Sequence, residues 1–361
     1  VSWRKQATYY ALLAVLVVAA LELLSAAFLF LQYGSRISEA AGHEIGSPTL
    51  QVLRQVWAVL FPDRSTYTRM VRLPDGFFVE DKEQGYRANP GRYVFRYIRQ
   101  RRGQGSGKSE HIDTVVTVNA DGTRFTGNAP IKPLRHIHVL GDSFVFGDGV
   151  NDGQTFSFLL QAAFSRDAVH LHALGGYSWA NALVTLERLK DRIGADDVIV
   201  LGYALYYKER HVAAPARLRS IQTWMATSFP DVELSASDRL IRARLEGEDR
   251  LVLDTIPMHC KFNADYCASA EPSAAYTDKV SSALLRAIAS TTKAKVYVLH
   301  MFGPKDDPVL ASRPAGVELI PATPADFSYV MRDDVMGFDD HGGPYWHYAM
   351  FMRLKQVLAP D

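Results

Sequence analysis

A serine hydroxyl attacks a carbonyl only when a base takes its proton, and one serine in this chain is placed for that chemistry. The run His138-Val139-Leu140-Gly141-Asp142-Ser143-Phe144-Val145-Phe146-Gly147 sets Ser143 just past an apolar strand pattern and ahead of helix-forming sequence. Far downstream, Asp339-Asp340-His341 precedes the last helical stretch and offers two carboxylates and an imidazole. A neutral hydroxyl is a poor nucleophile at pH 7, so it needs an imidazole whose tautomer is held by a third group. Ser143 is therefore the candidate nucleophile; taken alone, it also suits an ordinary helix N-cap.

The elements around these residues alternate. From Leu134 the pattern gives a strand at 135–140, a helix at 153–164, a strand at 168–174, a helix at 178–192 and a strand at 197–203. It resumes with a helix at 273–291, strands at 295–301 and near 317–320, and a helix at 345–358. Apolar strands separated by helices of this length predict an α/β fold, a parallel sheet covered by helices on both faces. Ligands of such sheets bind at the carboxyl ends of the strands, where Ser143 falls. Residues 204–270 break the rhythm and read as an insertion near the site, a lid or substrate platform. Before the sheet, Arg92 to Arg99, Ile112 to Val118 and Thr123 to Phe125 read as short strands, with Asn119-Ala120-Asp121-Gly122 as a turn.

The run Gly141-Asp142-Ser143-Phe144 after a strand, followed by Gly147 and Val150, with an Asp-x-His before the final helix, resembles the SGNH (GDSL) hydrolase family. The stretches Thr117-Val118-Asn119-Ala120-Asp121-Gly122 and Gly176-Tyr177-Ser178 are similar to bacterial membrane-anchored members that act on O-acylated carbohydrates. The resemblance covers roughly residues 75–358 and implies an SGNH-like sheet. It assigns the base to His341 and the acid that orients it to Asp339, leaving Asp340 exposed. His347 is the rival base, although no carboxylate stands within three residues before it. Oxyanion donors would be the backbone N–H groups of Ser143 and of Gly176, with Gly175 in reserve; glycine lets backbone approach a reacting carbonyl. The chain departs from the family at the third block. Members place an asparagine after the third core strand as a further donor, whereas Val200-Leu201-Gly202-Tyr203-Ala204-Leu205-Tyr206-Tyr207-Lys208-Glu209-Arg210-His211 contains none. Tyr206, Tyr207 or His211 would have to substitute. The rings of Tyr177, Trp179, Tyr206, Tyr207 and Trp346, with Tyr345, flank the motifs and suit stacking on sugars, although core packing explains each as well.

With 361 residues and a formal net charge of +1, the chain suits one α/β domain with insertions, or a domain with a small satellite. Binding a polyanion without sequence preference needs clustered Lys and Arg, so no nucleic-acid partner is expected. The basic run of Arg96, Arg99, Arg101, Arg102 and Lys108 is broken by Gly-Gln-Gly-Ser-Gly and reads as a solvated hairpin tip.

Ala7 to Leu31 is apolar apart from small or hydroxyl side chains and Glu22, and about 20 such residues cross a bilayer as a helix. A cleavable signal peptide is the other reading, with Arg4 and Lys5 ahead of the apolar run and Ser25-Ala26-Ala27 as the cut site. The run continues through Phe28-Leu29-Phe30-Leu31, longer than a usual signal core. A retained anchor with Arg4 and Lys5 inside puts the N-terminus in the cytoplasm and the domain in the periplasm of a bacterial inner membrane. Glu22 is then a candidate contact with another membrane subunit, or a carboxyl that snorkels or stays neutral. The expected organisation is 1–33 tip and anchor, 34–75 juxtamembrane linker with an amphipathic helix from Leu50 to Leu60, and 76–361 the domain, with a β-rich lead-in to 133.

The two cysteines, Cys260 and Cys267, predict a small disulfide-closed loop in an oxidising compartment. Zinc with His259 is the alternative, at a spacing matching no strong metal pattern. His136/His138 and His170/His172 sit on adjacent predicted strands, each pair on one face; they read as mutually satisfied polar residues rather than metal ligands. No metal or cofactor is expected. The function expected is a membrane-anchored serine esterase or O-acyltransferase on O-acylated carbohydrate. The alternative is a non-catalytic glycan-binding or scaffold subunit of a membrane assembly.

Overall fold

The computed structural model describes residues 66–101, 110–228, 234–247, 249–304, 306–321 and 341–359. The apolar stretch Ala7 to Leu31, the segment Leu50 to Leu60, and Asp339 and Asp340 lie outside the described residues. Among the described residues no helix is long and apolar enough to cross a membrane.

The lead-in begins earlier than the sequence suggests, with β1 (Thr66–Leu73), then β2 (Phe78–Asp81), β3 (Gly85–Ala88), β4 (Gly91–Arg101) and β5 (Glu110–Val118). β1, β4 and β5 form an antiparallel sheet in that order, and β2 pairs with β3. The pairing of β4 with β5 makes the predicted hairpin, Arg96 meeting Asp113 at 2.7 Å across it. Thr123 to Phe125 is not a strand: Arg124 alone bridges Val118 on one side and Leu171 on the other.

The core follows as β6 (His136–Gly141), α1 (Ser143–Phe146), α2 (Phe156–Ala163), β7 (Ala168–Ala173), α3 (Trp179–Leu189) and β8 (Val198–Ala204). The insertion supplies α4 (Tyr207–His211), α5 (Pro215–Ser228), the hairpin of β9 (Arg239–Glu246) with β10 (Arg250–Pro257), and α6 (Ala264–Cys267). The chain then returns through α7 (Ala274–Thr291), β11 (Lys295–Phe302), α8 (Pro308–Ala311), β12 (Val317–Pro321) and α9 (Pro344–Leu358).

Five strands make one parallel sheet in the order β12-β11-β8-β6-β7. Side chains along a strand point alternately to opposite faces, and both faces here are apolar. Ile137, Val139 and Val200 pack with Leu160 of α2 and Met350 and Leu354 of α9. Leu140, Ile199, Leu201 and Val298 pack with Leu183 of α3 and Leu284 of α7. Burial on both faces is why these strands read as continuous hydrophobic runs. A third cluster, Ala213, Leu218, Ile256 and Cys267, holds the insertion together. Cys260 and Cys267 are joined as a disulfide, and His259 accepts instead from the Lys261 N–H at 2.9 Å.

Candidate active site

β6 ends at the carboxyl edge of the sheet and passes directly into α1. Asp142 caps that helix, its carboxylate accepting from the Phe144 N–H at 3.1 Å. Ser143 is the first helical residue, so its own N–H has no acceptor within the helix. Its side chain meets a residue brought from the other end of the chain: Ser143 Oγ and His341 Nε2 are 2.6 Å apart. The His341 ring rests on Phe144, centroids 4.6 Å apart.

Asp142 is fully buried and heavily tied. Its carboxylate accepts from the Tyr206 hydroxyl and from Arg210 Nη1, both at 2.7 Å, while its N–H donates to the Tyr207 hydroxyl at 2.9 Å. Burial, and then the Asp142 carboxylate, hold both phenols well above their usual pKa, so they stay protonated. Two of the three substitutes considered for the missing asparagine therefore secure the residue before the nucleophile. The third, His211, is buried away from the site, bonded to Ser281 Oγ at 2.8 Å and stacked on Trp179.

A buried arginine that the sequence reading passed over shapes the turn behind the nucleophile. Arg124 donates to the carbonyls of Phe146, Gly147 and Val150 at 2.7 Å each and pairs with Asp152 at 3.1 Å. Gly147 ends α1 at φ +90°, and a Cβ there would lie 2.9 Å from Arg124 Nη1. The only sequence signal was position: Arg124 directly follows the Asn119-Ala120-Asp121-Gly122-Thr123 turn.

The glycine loop after β7 lies beside Ser143. The Tyr177 N–H closes a turn onto the Leu174 carbonyl at 3.0 Å, with Gly176 at φ +84°, the third turn position, where a positive φ favours glycine. The Tyr86 hydroxyl from β3 donates to the Gly175 carbonyl at 2.6 Å, and a Cβ on Gly176 would lie 2.6 Å from that hydroxyl. A Cβ on Gly175 would stand 3.9 Å from Ser143 Cβ.

Ser143, His341, Gly175 and Gly176 open on one cavity of about 780 Å³. Its other walls come from β1, from Phe78 of β2 and Tyr86 of β3, from Ser178 and Asn181 at the start of α3, and from the insertion, chiefly α5 and β9. Of the five rings expected to meet substrate, Tyr206 alone lines it. Trp179 and Trp346 are core residues, Trp179 donating to the Gly202 carbonyl at 2.9 Å; Tyr207 is fully buried on Asp142. Tyr177 is buried and donates to the Tyr86 carbonyl at 2.7 Å. Trp224 of α5, 48% exposed, lines the cavity in their stead; it lies in the insertion, where no motif marked it.

The rival base His347 is buried, its Nδ1 accepting from the Phe156 N–H at 3.3 Å. Burial, with Arg124 nearby, lowers its pKa to about 3. The histidines of β6 and β7 bond one another, His136 Nδ1 to His170 Nε2 at 2.9 Å and His138 Nδ1 to His172 Nε2 at 3.2 Å. Burial and mutual repulsion lower His138 to about 2 and His172 to about 3. Among the described residues no cluster of His, Cys, Asp or Glu is arranged to hold a metal ion.

No family model matches the chain, and no curated protein matches it in sequence. Solved structures similar to it include a member of the lipolytic protein G-D-S-L family from Veillonella parvula, 14% identical over 63% of this chain and all of that one, TM-score 0.34. TesA is also 14% identical, covering 63% of this chain and 99% of its own, TM-score 0.35. The acetylxylan esterase Axe2 from Geobacillus stearothermophilus is 10% identical over 64% of this chain and 97% of that one, TM-score 0.30.

Proposed function

We propose that the protein is an SGNH-type serine esterase or O-acyltransferase acting on O-acylated carbohydrate, anchored by the apolar stretch Ala7 to Leu31 with its domain in the periplasm. The observation that carries the chemistry is the 2.6 Å approach of Ser143 Oγ to His341 Nε2 in the wall of the cavity. His341 takes the hydroxyl proton as Oγ attacks the ester carbonyl, and Asp339 holds the imidazole's other nitrogen. The oxyanion forms against backbone N–H groups of Ser143 and of the Gly175-Gly176 loop. Collapse expels the sugar hydroxyl, which receives the proton from His341. Water or a second sugar hydroxyl then enters by the same steps in reverse. These steps use side chains and backbone of this chain and call for no cofactor.

A second reading, a glycan-binding subunit without turnover, draws on the third block, where Tyr206 and Tyr207 are committed to Asp142. Losing one oxyanion donor costs about 10²–10³ in rate. Acetate release from an acetylated xylo-oligosaccharide by the purified protein decides between them. The first reading expects release that Ser143→Ala abolishes; release unaffected by that substitution, or none from folded protein, sinks it.

A further inference from the structure

Arg217 brings a positive charge to this cavity. It lines the cavity from α5, together with Ser143 and His341. Its neighbour Arg210 is matched by Asp142 at 2.7 Å, and Arg239 donates to Thr255 Oγ1 at 2.8 Å. Arg217 makes no hydrogen bond or ion pair among the described residues. Burial, and next the like charge of Arg210, pull its pKa down to about 10; Tyr86, Tyr206 and Glu209 oppose that pull. It remains protonated at neutral pH. A half-buried guanidinium on a cavity wall with no protein acceptor among the described residues has its donors open to a ligand, and a carboxylate there meets them through charge-assisted, bidentate bonds.

The same face of α5 says what else the ligand carries. Arg217, Ile221 and Trp224 follow one another at i, i+4 and i+7, the spacing of one helix face, and all three line the cavity. Trp224 offers an amphipathic ring suited to the apolar face of a sugar, one to two turns from a group suited to a carboxylate.

We propose that the cavity recognises an acidic carbohydrate, a uronate whose carboxylate is bound by Arg217 while its ring rests on Trp224. This rests on the esterase reading only for the ester bond; the binding of the acid does not require turnover. The test therefore uses the full chain carrying Ser143→Ala, titrated calorimetrically with hexagalacturonate and with xylohexaose. The acidic oligomer is expected to bind at least about tenfold more tightly, the scale of one charge-assisted pair. Arg217→Gln should reduce that preference to within about twofold, with Arg217→Lys retaining part of it. Equal affinity for the two oligomers in the Ser143→Ala protein overturns the proposal, as does a preference that survives Arg217→Gln in a variant whose circular dichroism is unchanged. Preference for methyl hydrogen succinate over methyl acetate, with none for hexagalacturonate, overturns the placing of the carboxylate on the sugar. Failure of wild-type protein to release acetate, with the acidic preference intact, tells against the esterase reading alone.

Discussion

Arg210 donates to Asp142 at 2.7 Å, one residue before Ser143, so a fully buried carboxylate at the cap of the nucleophile's helix is neutralised from the insertion. Removing one partner of a buried pair leaves the other charge uncompensated, at a cost of about 3–5 kcal/mol. Arg210→Met should lower stability by about 3 kcal/mol and depress ester turnover, as read by urea denaturation and acetate release. Asp142→Asn in the Arg210→Met background should restore part of the stability. Equal stability of wild type and Arg210→Met would show that the pair does not hold the cap.

Gly176→Ala places a Cβ 2.6 Å from the Tyr86 hydroxyl at φ +84°. The strain in the left-handed region alone is about 1–2 kcal/mol, and relieving the clash shifts the loop beside Ser143. Turnover number should fall by at least about tenfold, the equivalent of ~1.4 kcal/mol in the transition state. Unchanged steady-state kinetics would place the loop outside the oxyanion site.

The core strands were legible because burial on both faces makes them uninterrupted apolar runs, and β6, β7, β8, β11 and β12 fall where the pattern put them. The serine and histidine were legible as motifs. The aromatic assignments were not, because ring type does not separate a core residue from a platform: Trp179 satisfies its N–H on the Gly202 carbonyl inside the protein. Thr123 to Phe125 had strand composition, yet Arg124 there turns its side chain to three carbonyls behind α1. The insertion at 204–270 was legible as a platform near the site, and its α5 and β9 do line the cavity; which of its residues do so was hidden, because they become neighbours of Ser143 only through the tertiary path of the insertion.

Stability should fall on acidification through protonation of histidines that the fold keeps neutral. His211 and His347 are fully buried and lowered to about 3, by burial first and then by nearby arginine. The unfolded chain binds their protons near pH 6.5 and the folded chain only near pH 3, so this stability is complete above 6.5 and is lost as pH falls toward 3. Each contributes up to about 2 kcal/mol of loss at pH 5. Tm should drop between pH 7 and 5, and His347→Gln should flatten the slope. A wild-type Tm constant across that range contradicts neutral burial.

The Cys260–Cys267 disulfide closes a short loop, for which chain entropy gives about 2.5 kcal/mol. Cys267 packs with Leu218 of α5, and its carbonyl accepts from Arg219 at 2.5 Å. The crosslink thus steadies the helix that forms the cavity wall. Reduction should lower Tm and raise KM for a carbohydrate ester more than it changes kcat. Identical melting of oxidised and reduced protein would leave the crosslink without this role.

The central claim is that Ser143, paired with His341, forms a covalent bond to the acyl carbon. Peptide mapping by mass spectrometry after reaction with a fluorophosphonate tests it most directly. The adduct should sit on Ser143 in the wild-type protein, and His341→Ala should slow its formation by at least about 10³, the scale of losing the base of a triad. An adduct on another residue, or none on folded wild-type protein, would contradict it.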